Sequence, residues 1–160
     1  IDNMAFVFNI HMSIKDGTLK VYDENYNFVG EYDISEYDFS INDVKGATED
    51  LLVFKTRKNR NEFYTVILDT SNNFVCEPIK GASVGNPHFS ENKIVFVSSK
   101  DVDRIVDIST GEITEYDDSF DIVNYDNVND LMIVKSGDAY YLADPEAPDT
   151  LINPFERAYN

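Results

Sequence analysis

Two histidines, one cysteine and thirty carboxylates are the groups in this 160-residue chain with the plainest capacity for chemistry. His11 follows "FVFNI" and His88 lies in "NPHF". Neither belongs to a spacing that zinc sites use, so no metal-ligating set is assigned, and His88 reads as a core or turn residue unless its strand lines a channel. Cys76 stands alone in "NNFVCEPI", which excludes an intrachain disulfide. A catalytic thiol needs a neighbouring cation or helix N-terminus to lower its pKa. Nothing of that kind is local, and Cys76 is expected to be a small buried strand residue. No G-x-S-x-G, H-E-x-x-H or phosphate-cradling glycine loop occurs, and "SVGNP" (83–87) reads as a turn. No catalytic residue and no cofactor-binding residue is assigned, no cofactor is expected, and the chain reads as a non-enzyme.

The carboxylates raise a second possibility, cation binding. "DENYN" places Asp23, Asn25 and Asn27 at the alternating positions that open a calcium loop. The sixth position holds Phe28 instead of Gly and the twelfth Ile34 instead of Glu, so a hairpin turn is the expectation. "DDSFDIVNYDNVND" (117–130) is denser in oxygen ligands and joins one structural unit to the next, where an adventitious cation would find donors. The one basic cluster, "KTRKNR", holds Lys55, Arg57, Lys58 and Arg60 between two expected strands and reads as a solvated hairpin tip, the rival reading being contact with an acidic partner.

The net charge of −17 bears on partners. Residues 1–80 carry eight basic against fourteen acidic side chains, and residues 81–160 five against sixteen. Such a surface repels phosphate backbones and anionic headgroups, which argues against nucleic acid. No apolar run approaches the roughly twenty residues that span a bilayer, so membrane insertion is not expected. A solubilising shell is the plain reading of the charge; an electrostatic docking face is the sharper one.

The elements that must position these groups are strands. "NPHFSENKIVFVSSKDVDRIVDISTGEITEY" (86–116) reads as strand, strand, polar loop, strand, tight turn at Gly111 and strand, an antiparallel meander. "KIVFVSS" has counterparts in "MAFVFNI", "LLVFKTR" and "LMIVKSG". "RIVDISTGEITEY" has its own in "LKVYDENYNFVGEY", "TVILDTSNNFVCEP" and "YYLADPEAPDTLINP". Each of these places an Asp at the strand end, Asp23, Asp69, Asp107 and Asp144, at successive spacings of 46, 38 and 37. Two landmarks repeating with one drift define a unit of about forty residues. The Asp carboxylates are expected to accept backbone N–H groups of the following turn.

A four-stranded meander cannot bury both faces alone, and radial packing of copies solves that problem. The expected fold is all-β, a single domain built of antiparallel four-stranded meander repeats at approximately 1–37, 38–84, 85–120 and 121–160. The first unit lacks its first strand, which "FERAYN" (Phe155–Asn160) would supply by pairing beside Met4–Ile10 if four units close a ring; an open arc of a larger ring is the alternative.

The motif of Pro87, Phe89, Ser90, Phe96, Ser98, Asp107, Thr110 and Gly111 resembles the TolB-type β-propeller repeat. Glu91-Asn92 stands where that repeat carries an Asp-Gly turn, and the other three copies match in apolar pattern and Asp position. The resemblance implies a propeller, a fold that serves as a partner-binding scaffold and as a domain attached to hydrolases. A non-catalytic module binding a protein partner or neighbouring domain through its loops is therefore expected. The alternatives are an accessory domain of a larger hydrolase and a structural component of an assembly. The compartment stays open, leaning toward an extracytoplasmic or secreted bacterial one.

Overall fold

The computed structural model describes residues 11–33, 35, 40–57, 59–69 and 73–153. Every regular element among them is a β-strand. None is a helix long and apolar enough to cross a membrane. The fold is all-β, as the alternating β-branched and aromatic runs demand.

The chain forms two compact units, Ile1–Ala82 and Ser83–Asn160. In the first, strands β1 (His11–Lys15), β2 (Thr18–Tyr22) and β3 (Phe28–Asp33) make a three-stranded sheet. Strands β4 (Ser40–Ala47), β5 (Leu51–Arg57), β6 (Phe63–Asp69) and β7 (Ile79–Lys80) make a four-stranded one. In the second unit, β8 (Asn86–Phe89), β9 (Lys93–Val97), β10 (Asp103–Asp107) and β11 (Ile113–Tyr116) form one sheet. Strands β12 (Asp121–Asp126), β13 (Leu131–Ser136), β14 (Ala139–Asp144) and β15 (Ala147–Ile152) form the other. Every pairing is antiparallel between consecutive strands. Each four-stranded meander is thus of the kind that makes a propeller blade.

The meander expected over 86–116 is present strand for strand. Three expectations are adjusted. The partner of the first Asp-ended strand is His11–Lys15, in register His11 to Tyr22; Met4–Ile10 lies outside the described residues, as does Phe155–Asn160. The last strand of the second sheet is broken: Phe74 bridges Leu68, the chain bends through residues 75–77, and only Ile79–Lys80 resumes pairing, with Thr65 and Tyr64. Cys76 therefore sits buried in a bend, not in a strand. Pro78, which cannot donate to a ladder, follows within two residues and fits such a break.

Each unit buries apolar side chains from both of its sheets. Leu19, Val21 and Tyr32 of the first sheet pack with Leu52, Phe54, Val66 and Leu68 of the second. In the other unit Val95 and Ile105 pack with Ile122, Tyr125, Met132, Val134 and Ala143. Full burial of such side chains stabilises by about 1.5–3 kcal/mol each, and it explains why a meander with a polar outer face needs a neighbour.

Candidate functional site

The repeating Asp residues do what their position at strand ends suggests. Asp23 accepts the backbone N–H groups of Asn25 and Asn27 at 2.8 and 2.9 Å, with the Asn27 side-chain amide at 3.1 Å. Asp69 accepts Asn73 N–H at 3.0 Å, and Asp144 accepts Glu146 N–H at 3.0 Å. Asp107 accepts Ser109 and Thr110 N–H at 2.9 and 3.0 Å and also takes the Lys93 ammonium at 2.6 Å. The Lys93 ammonium and these turn donors hold the Asp107 carboxyl far below its ordinary range. At Asp23 the turn donors act alike. The calcium-like spacing of "DENYN" is therefore spent on a hairpin turn, with Tyr26 at a φ of 63°.

The two histidines pack against tyrosines. The His11 ring stacks on Tyr26 at 3.9 Å with planes 10° apart. His88, on β8, stacks on Tyr125 of β12 at 4.9 Å. Burial pushes the His88 pKa down against a hydrogen bond to Asn127, so the ring is neutral at neutral pH. Among the described residues no three His, Cys, Asp or Glu side chains converge as a metal ion requires. Burial, reinforced by Glu77, pushes the Cys76 thiol up to about 11. In the basic cluster Lys55 is anchored, donating to the Ala82 carbonyl at 2.8 Å over the Phe63 ring, whereas Arg57 and Arg60 are exposed. Lys58 lies outside the described residues.

The feature that sequence spacing does not reveal is an acidic cleft of about 480 Å³ in the second unit. Its walls are the β9–β10 loop and the β11–β12 connection, which carry Asp101, Asp103, Asp117, Asp118 and Asp121 against a single Lys100. Asp103 is its structural root. Only 4% exposed, its carboxylate accepts Ser98 N–H and Ile122 N–H, both at 2.8 Å, and so fastens the loop to β12. Burial raises the Asp103 pKa above the ordinary carboxylate value, and the adjacent Asp121 carboxyl adds to the shift. Behind it, the buried Arg104 guanidinium reaches Asp101 and Glu115, each at 3.3 Å. Asp117 is turned the other way: hydrogen bonds from the Ser119 hydroxyl and N–H lower its pKa.

Two carboxyls with opposed environments invite an acid–base reading. The neighbouring hydroxyl does not support it. Ser98 Oγ donates to the Ser83 carbonyl at 2.6 Å and accepts Lys100 and Asp101 N–H, so it is a turn cap, not an activated nucleophile. Asp118 has no hydrogen-bond or ion-pair partner among the described residues and faces solvent. The cleft is suited to holding positive charge.

No family model matches the chain, and no curated protein matches it either. Among solved structures it is similar to the computationally designed Ika4 protein, at 16% identity over 87% of both chains with a TM-score of 0.45. It is similar to the computationally designed Ika8 protein at 16% identity over 92% of this chain and 46% of that one, TM-score 0.47. BamB from Moraxella catarrhalis is similar at 13% identity, with 89% and 48% covered and a TM-score of 0.44. The chain spans just under half the length of the Ika8 and BamB structures. No functional residue is carried over from any of them.

Proposed function

We propose that the chain is a non-catalytic binding module of the TolB-type propeller kind, and that its acidic cleft docks a basic segment of a protein partner or neighbouring domain. The observation that carries this reading is the cleft's charge: three rim carboxylates without a cationic partner among the described residues, Asp117, Asp118 and Asp121, beside Asp101, which pairs with Arg104, around a buried Asp103 that fixes the walls. Opposite charges a few ångströms apart at such a rim attract, steer association and lose strength as salt screens them. The chain's surplus of acidic residues in 81–160 extends the same field.

The test is fluorescence anisotropy with a labelled Lys/Arg-rich peptide and its charge-reversed counterpart. The expected result is saturable binding of the basic peptide alone, weakening as salt rises from 50 to 500 mM. The double variant D118N/D121N, which leaves the Asp103 hydrogen bonds from the Ser98 and Ile122 N–H groups in place, weakens that binding roughly tenfold (about 1.4 kcal/mol). Equal binding of both peptides, or an unaltered double variant, sinks the proposal.

A further inference from the structure

At the end of the same sheets remote from the cleft, Ser90 Oγ lies 3.0 Å from Asp130 Oδ2 and 3.1 Å from Glu146 Oε1. A hydroxyl has one proton to give. It donates to one carboxylate, and the second contact is a hydrogen bond only if that carboxyl is protonated and donates in turn to Oγ. With both acids ionised, one carboxylate oxygen faces the hydroxyl's lone pairs at contact distance. Ser90 is only 5% exposed, so water does little to relieve that contact.

The surroundings decide which acid carries the proton. Glu146 is exposed, and its Oε1 also accepts Asn92 N–H at 2.9 Å, a donor that favours the charged form. The Lys93 ammonium, paired with Asp107, senses the Glu146 charge as well. Asp130 is half-buried, and its second oxygen, Oδ1, is buried without a hydrogen-bond partner, a position costly for an anion and far less so for a neutral acid. Asp144, Glu146 and Glu91 all face it with negative charge. Burial above all, with these charges, raises its pKa above the ordinary value against the opposing pull of the Ser90 hydrogen bond.

We infer that Asp130, Ser90 and Glu146 form a proton-held clasp between the third and fourth sheets, closed when Asp130 is protonated and loosened when it ionises. In the closed form Asp130 donates to Ser90 Oγ, and Ser90 donates to Glu146. The clasp ties the β8–β9 turn to the β13 entry and the β14–β15 turn, so its state sets how firmly the two sheets are held at that end. Because the folded-state pKa is the higher one, the stabilisation is present in full below the unfolded value and is lost as pH rises through the folded value.

The experiment uses the whole chain. Carboxyl-carbon NMR is expected to place the Asp130 titration midpoint above that of an unstructured Asp peptide. D130N is uncharged at every pH, and Asn accepts the left-handed backbone that Asp130 adopts at φ 53°. It is expected to melt above the wild type at pH 8 and to lose that advantage as the pH falls through the Asp130 midpoint. S90A, lacking the bridging hydroxyl, is expected to lower Tm most at acid pH, where the clasp is closed. An Asp130 midpoint at or below the peptide value overturns the clasp. So does a D130N Tm difference that does not change with pH.

Discussion

Asp103 on strand β10 accepts the backbone N–H of Ile122 on strand β12 at 2.8 Å, across the interface between two sheets. Both groups are buried, and between this bond and Ser90 lies the apolar cluster of Val95, Ile105, Tyr125, Met132 and Val134. The second unit is therefore held by polar contacts at both ends of an apolar core.

Replacing Asp103 with Ala leaves two N–H groups without their acceptor, the buried one of Ile122 and the half-buried one of Ser98. An unsatisfied buried donor costs about 1–3 kcal/mol. D103A should therefore lower the unfolding free energy by about 2–4 kcal/mol in urea melts, with D103N, which keeps one acceptor, losing less.

Asp107 behaves oppositely with pH. Its carboxyl is held low by Lys93, Ser109 and Thr110, so its contribution is present above the ordinary carboxylate range and lost as pH falls through the folded value. D107N should lower Tm at pH 7, and the deficit should shrink in strong acid. A deficit that is the same at pH 7 and pH 2 contradicts this.

With its pKa near 11 and 8% exposure, Cys76 is a poor thiolate. At pH 8 its reaction with a chromogenic disulfide should be slower than that of a free thiol by roughly a hundredfold or more, and should accelerate on adding denaturant. Rapid reaction in the folded protein contradicts the buried placement.

Glycine substitutions separate space from backbone angle. At Gly85, φ 97°, an added Cβ would meet the Val97 carbonyl oxygen at 2.2 Å, whereas at Gly137, φ 62°, nothing lies within 4 Å. G137A should cost about 1 kcal/mol from its left-handed φ, and G85A clearly more because backbone must move. Equal losses in urea melts contradict the distinction.

Much of this architecture was legible in the sequence because it repeats. Ile113–Tyr116 and Asp107 announce their roles through alternation and through an Asp placed before a turn. The strand His11–Lys15 was hidden by the stronger apolar signal of Met4–Ile10. The sequence around Cys76 favours a strand because its neighbours Phe74 and Val75 are strand formers; Pro78 marks the break that overrides them. The acidic cleft was not legible. Asp103 and Asp121 belong to different repeats, and only the packing of two sheets brings them together. Ser90 belongs to the repeat motif, but its meeting with Asp130 and Glu146 depends on the same packing.

Among the described residues each strand pairs only with its neighbour in sequence, so every ladder there closes a short loop, most of a few residues and the longest about ten. Little chain entropy is spent before the first hydrogen bonds form. Local strand pairing of this kind favours locally nucleated folding, in which a hairpin such as Leu131–Asp144 forms on its own timescale and is then locked by packing. Synthesis on the ribosome suits such a chain, since each meander is complete as soon as its last strand has emerged.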